Sequence, residues 1–259
     1  MEMTEGQQAV VRTVIVGGTT GIGLATAELL LTRGHQVVVA GRNQERLAAA
    51  VKQLRESRGA GAEGADAEGA VTGLVVDARD EESLRGFFAE VGPFDHLVVT
   101  VTARGGVTPF DRMTADEVRR HSEGKLLPHL LTVREALGTL SPTGSVTLVG
   151  AVSSQLSSPG LVVLAPANAA VETAARVLAA ELAPRRVNAI APGVIETDWW
   201  EWAPEGAAAA TASTTPLGRA GRADEVAHAI AFVVENTYTT GVVLPVDGGA
   251  RLGTVNAAS

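Results

Sequence analysis

Three glycines, Gly17, Gly21 and Gly23, stand directly behind the β-branched run Val14-Ile15-Val16. That order of residue types makes an anion site. A short apolar strand, a glycine turn and a helix N-terminus let backbone N–H groups approach a phosphate closely. Thr19, Thr20 and Ile22 fill the same loop. The spacing is Gly-x-x-x-Gly-x-Gly rather than Gly-x-Gly-x-x-Gly, and on this loop alone an ordinary glycine turn reads as well. His121 and Lys125 lie four residues apart. On a helix they share one face, where they are adequate for acid–base work; a solvated polar face is the competing reading. Trp199, Trp200 and Trp202 concentrate the chain's three tryptophans in four positions. They cover an apolar ligand, pack at an interface or fill core.

Other chemistries are disfavoured. The chain has no cysteine, so no disulfide, thiolate nucleophile or thiolate-bound metal is available. The five histidines show no metal-ligand spacing with carboxylates, and no Ser-His-Asp order with an elbow turn is present. A net charge of −8 argues against a nucleic-acid or anionic membrane surface. Residues 1–12 lack a signal pattern and no apolar run reaches membrane-spanning length, so a cytoplasmic location is expected. With 259 residues, 46% of them hydrophobic, one generous core or two small ones can form.

The elements that position these residues alternate. Apolar strands are predicted at 14–16, 36–40, 71–76, 96–100, 145–149, 186–191 and 242–246. Helices are predicted at 24–32, 44–58, 80–91, 165–182 and 224–234, Asn43 capping the second. A long helical stretch over 114–140 is expected to bend or break at Pro128. Residues 59–69 read as an exposed loop and 197–222 as irregular. The small run 207–212 within the latter is suited to a hinge. This alternation implies an α/β protein with a doubly wound, seven-stranded parallel sheet and helices on both faces. Ligands in such sheets bind at the carboxyl ends of the strands.

Six features, in order, resemble the short-chain dehydrogenase/reductase family. They are the Gly17–Gly23 loop, Asp77 after the third strand, and Asp95-His96-Leu97-Val98. The others are Arg186-Val187-Asn188-Ala189-Ile190-Ala191-Pro192-Gly193, Thr197, and Gly241 through Asp247-Gly248-Gly249. The resemblance spans nearly the whole chain and implies a single Rossmann-type domain over residues 1–259. It also implies an NAD(P)-dependent oxidoreductase. Gly17, Gly21 and Gly23, with Thr19, Thr20 and Ile22, would hold the pyrophosphate. Asp77 would touch the adenine amine, and Pro192, Gly193 and Thr197 would border the nicotinamide. Residues 194–223 would form a lid over a small, apolar ligand. The helices around Lys125 and over 165–182 would pack against a symmetry mate in a homodimer or homotetramer. At the second strand, Ala40 and Gly41 are uncharged and Arg42 follows. A guanidinium there suits a ribose 2′-phosphate, so NADP(H) is expected over NAD(H).

The family's Ser-Tyr-Lys-Asn positions fall on Ala151, Leu164, Asn168 and Lys125. Leu164 has no proton to give and Ala151 no hydroxyl. Ser153 and Ser154 lie close by as a shifted serine, and His121 and Lys125 are the candidate substitutes for the acid–base group. The family's Asn-Asn-Ala-Gly is replaced by Val99-Thr100-Val101-Thr102, whose last threonine is expected to crowd the nicotinamide ribose. Negligible reduction of generic ketones is therefore expected. Three readings stay open: an oxidoreductase with a rearranged site, a silent dinucleotide-binding sensor or partner subunit, and a non-redox enzyme on the same fold.

Overall fold

The computed structural model describes residues 10–59 and 67–253. Seven parallel strands form one sheet in the order β3-β2-β1-β4-β5-β6-β7. They are β1 (Arg12–Val16), β2 (Gln36–Gly41), β3 (Val71–Val75), β4 (Phe94–Val99), β5 (Leu140–Val149), β6 (Arg186–Pro192) and β7 (Val243–Val246). The continuous apolar runs are explained by burial on both faces. Val14, Val16, Val38, Leu97 and Val99 point into one core layer, while Ile15, Val37, Val39 and Val98 point into the other. Strand periodicity of two makes that division.

The first layer is closed by α4 (Glu81–Val91), α6 (Leu127–Ala136) and α7 (Leu164–Glu181); the second by α1 (Gly21–Thr32), α2 (Gln44–Gly59) and α9 (Ala223–Glu235). Asn43 caps α2 by accepting from the Arg46 N–H at 2.8 Å, and Asp80 caps α4 by accepting from the Ser83 N–H at 2.7 Å. Strand order reverses between β1 and β4, which opens a crevice at their carboxyl ends. No described helix is long and apolar enough to cross a membrane.

Three local expectations change. Within 59–69, residues 60–66 lie outside the described residues, and Ala67–Ala70 forms a short helix, α3. The 197–222 stretch is not wholly irregular: Asp198–Trp202 is a 3₁₀ turn and Ala207–Ala212 is a helix, α8. The long helical stretch ends at Ala136 rather than at 140, and it is interrupted in the turn directly before Pro128, the turn on which a proline's missing N–H and ring act. After α5 (Ala115–His121), Ser122–Leu126 is a π-turn in which the Leu127 N–H bonds the Ser122 carbonyl. Such wide turns re-aim side chains and recur at functional sites.

Candidate active site

The glycine loop forms a tight cradle. Gly17 has φ +95°, a conformation open to glycine at little cost. A Cβ at Gly23 would lie 2.2 Å from the Gly17 carbonyl oxygen, so that position too is restricted to glycine. Thr100 Oγ1 donates to the same carbonyl at 3.0 Å and ties the loop to the end of β4. The Thr20 side chain makes no capping bond and the first turn of α1 carries no acid. The first-turn N–H groups therefore lack internal partners and face the cleft, as an anion requires. The cradle fits the pyrophosphate of a dinucleotide.

Arg42 is exposed at the end of β2, and Thr19 packs against Gly41 beside it. Asp77 stands on the same rim after β3. Its carboxylate is already gripped by Arg79, which donates from Nε at 3.0 Å and from Nη2 at 2.7 Å. Those bonds hold the carboxyl below the usual carboxylate range, and the charge of Arg42 adds a smaller pull. Arg79 was invisible as a site residue because its role depends on a turn of only two residues.

From the cradle a cleft of about 960 Å³ runs along the carboxyl edge of the sheet. Gly17, Thr20, Gly21, Ile22 and Gly23 line it, as do Pro192, Gly193 and Thr197. Lys125, Ala151, Leu164 and Asn168 line the same cleft, although they come from three separate segments. Thr102 also lines the cleft, where a β-branched side chain takes up room. Among the described lining residues, Lys125, Asp198 and Arg251 are the ones that carry titrating groups.

Lys125 is the central one. The π-turn rolls it inward until it is only 4% exposed, and its Nζ donates to the Val149 carbonyl at 2.6 Å. Burial pulls its pKa down to about 7, against the opposing charge of Glu172. Beneath it, His129 Nδ1 bonds the Lys125 carbonyl at 2.6 Å; burial pulls this histidine down to about 3, so it stays neutral. Glu172, on the buried face of α7 with Asn168, Val171 and Ala175, is pushed up by burial. It accepts from Ser154 Oγ. Sequence reasoning missed Glu172 and His129, because nothing in their spacing marks them as neighbours of Lys125.

His121 does not join this group. Its Nδ1 bonds the Glu117 carbonyl at 3.0 Å, and its Nε2 abuts Gly106, where an added Cβ would lie 2.3 Å away. The expectation that His121 shares a face with Lys125 assumed a regular helix. The π-turn between them changes the angle, and His121 is absent from the described cleft lining.

Residues between Val194 and Thr215 line the cleft. Thr197 caps the Asp198–Trp202 turn, accepting from the Trp199 N–H at 3.4 Å. Trp199 stands edge-on to Trp200 and Trp202 at centroid distances of 5.1 and 5.5 Å, and its indole N–H donates to the Ala103 carbonyl at 2.9 Å. Arg104 pairs Glu201 at 2.7 Å and Asp198 at 3.2 Å. The tryptophans are thus a packed cluster that also lines the cleft with Trp199, Trp200 and Trp202.

A parallel sheet with a glycine cradle at its switch point defines a doubly wound dinucleotide-binding protein. Residues 16–251 match the family model described as enoyl-(acyl carrier protein) reductase. Carbonyl reductase family member 4 of Danio rerio is 32% identical over 245 residues, which is 92% of this chain and 97% of that protein. A small-chain dehydrogenase solved in complex with NADPH is 29% identical with a TM-score of 0.76, covering 94% of this chain and 100% of that one. A short chain oxidoreductase from Pseudomonas aeruginosa PAO1, described as containing an atypical catalytic center, is 30% identical with a TM-score of 0.81, covering 96% of this chain and 98% of that one. The chain belongs to the short-chain dehydrogenase/reductase family of oxidoreductases.

Proposed function

We propose that this protein is an NADP(H)-dependent carbonyl–alcohol oxidoreductase in which Lys125 replaces the usual phenol as proton donor and acceptor. The single observation behind this reading is Lys125, a residue of the cleft wall whose buried amine has its pKa near 7. A group titrating near the working pH is well matched to proton transfer in both directions. Leu164 and Ala151, at the positions of the family tyrosine and serine, offer no proton and no hydroxyl, and those losses alone would leave a silent protein. NADP(H) bound along the cleft supplies or takes the hydride. Gly17, Gly21 and Gly23 hold its pyrophosphate, Arg42 its 2′-phosphate, and Pro192, Gly193 and Thr197 border its reactive end. The relative solved with NADPH supports dinucleotide binding. Arg42, beside uncharged Ala40 and Gly41, favours the phosphorylated form.

Residues 194–223 act as a lid. Trp200, Trp202, Leu161 and Val107 give the cleft an apolar wall, which suits a small apolar ketone or alcohol. Val118, Leu127, Leu130 and Val177 leave apolar surface on α5, α6 and α7, the face proposed to meet a second copy in a homodimer or homotetramer.

The test compares wild type with Lys125→Met, which keeps the length of the side chain and removes the amine. NADPH oxidation is followed with a panel of apolar ketones, and NADPH binding by calorimetry. Wild-type turnover, lost in the variant by roughly 10²–10⁴-fold with NADPH affinity retained, supports the reading. Unchanged turnover in Lys125→Met removes the lysine from this role. NADPH binding with no turnover on any ketone favours the silent sensor.

A further inference from the structure

We infer that Ser153 polarises the substrate carbonyl and that Asn168 is the positioning residue that aims its hydroxyl. This deepens the reading of the site as a carbonyl–alcohol oxidoreductase and rests on it. The inference starts from the orientation of one amide. A side-chain atom of Asn168 lies 3.1 Å from the Leu164 carbonyl oxygen. A carbonyl oxygen only accepts, so that atom is the amide nitrogen. The second amide hydrogen goes to Ser153 Oγ, also at 3.1 Å. Ser153 is therefore the acceptor in this bond, and its own proton points elsewhere. No acceptor for that proton stands among the described residues, and Ser153 lines the cleft.

Its neighbour differs. Ser154 donates to the Ala151 carbonyl at 2.9 Å and to Glu172, so its proton is used inside the protein. Of the two serines beside Ala151, only Ser153 has a hydroxyl proton to offer a ligand. The other amide atom, Asn168 Oδ1, is fully buried and has no hydrogen-bond partner among the described residues, so the amide is held through its nitrogen alone. The hydroxyl of Ser153 is the donor offered to a ketone oxygen. In reduction the carbonyl carbon gains the hydride of NADPH and the oxygen gains a proton from the Lys125 ammonium; Ser153 keeps its own.

This arrangement has a physical logic. The residue at the family's lysine position is a neutral amide and cannot lower a neighbour's pKa. It fixes a hydroxyl two residues beyond the family's serine position. The hydrogen bond to the developing oxyanion is supplied from a different point on the same turn.

The experiment uses acetophenone with the NADP⁺-loaded full chain, which cannot turn it over. The carbonyl stretch is read by difference infrared spectroscopy in wild type, Ser153→Ala, Ser153→Thr and Asn168→Ala, with thermal melting confirming folding. The expected result is a bound carbonyl shifted to lower frequency in wild type and in Ser153→Thr. The shift is lost in Ser153→Ala and broadened in Asn168→Ala. With NADPH, kcat falls roughly 10²–10³-fold in Ser153→Ala while KM changes little. A shift that persists in Ser153→Ala overturns the inference, as does acetophenone that fails to bind or binds unshifted. A wild-type shift without turnover leaves this carbonyl site standing and overturns the oxidoreductase reading.

Discussion

Replacing Lys125 by methionine has a consequence for stability that can be worked from the structure. The amine is 4% exposed, bonded to one backbone carbonyl, and titrates at about 7 instead of its ordinary 10.5. Between those two values the unfolded chain carries a proton on Lys125 that the folded chain does not. Stability rises with pH wherever the unfolded state binds more protons. The penalty is therefore complete below the folded pKa and gone above the unfolded one. From the two pKa values, wild type should gain about 2 kcal/mol between pH 7 and pH 9 relative to Lys125→Met. The variant should also be the more stable protein at neutral pH, since methionine fills a buried site without a charge to desolvate. Urea melts of both proteins across this range, analysed as the difference between them, remove the contribution of every other group. Parallel curves would show that Lys125 titrates alike in the folded and unfolded chains, and would refute the buried-amine reasoning.

Three further outcomes follow from the same geometry. Arg42→Ala should weaken NADPH by about 1.5–3 kcal/mol, the worth of a hydrogen bond to a charged group, and leave NADH unchanged in calorimetric titrations; equal weakening of both removes Arg42 from the 2′-phosphate. Gly23→Ala should abolish binding of both dinucleotides, because its Cβ would meet the Gly17 carbonyl oxygen at 2.2 Å; retained affinity would show that the cradle is not the pyrophosphate site. Light scattering at micromolar concentration should give a dimer or tetramer, and Val177→Glu should dissociate it; a wild-type monomer refutes the proposed α7 interface.

The sheet was legible because each strand is an apolar run that ends at a recognisable turn. Val14-Ile15-Val16 before Gly17 and Ala189-Ile190-Ala191 before Pro192 placed both strand ends within a residue or so of where they lie. Ala151, Leu164, Asn168 and Lys125 line one cleft, and it was alignment to family positions rather than spacing that singled them out together. The π-turn was legible only in part. Pro128 marked an interruption to within one turn, but the wide hydrogen bond from Leu127 to Ser122 has no local residue signature. That one turn decides two assignments, since it carries Lys125 inward and leaves His121 against Gly106. The role of Asn168 was hidden for a different reason. An amide reads as a neutral replacement for lysine until its bonds to Leu164 and Ser153 fix which way it points. The ion pairs from Arg104 to Asp198 and Glu201 span nearly a hundred residues of sequence and are set by tertiary structure alone.

The most direct test is the pH dependence of kcat for NADPH-dependent reduction of an apolar ketone by the wild-type protein. In the proposed role, reduction needs Lys125 in its charged form, and that form is lost as pH rises through about 7. The rate should be level below pH 6 and fall about tenfold per pH unit above pH 8, while oxidation of the matching alcohol rises over the same range. A reduction rate that stays level to pH 9 would contradict Lys125 as the proton donor.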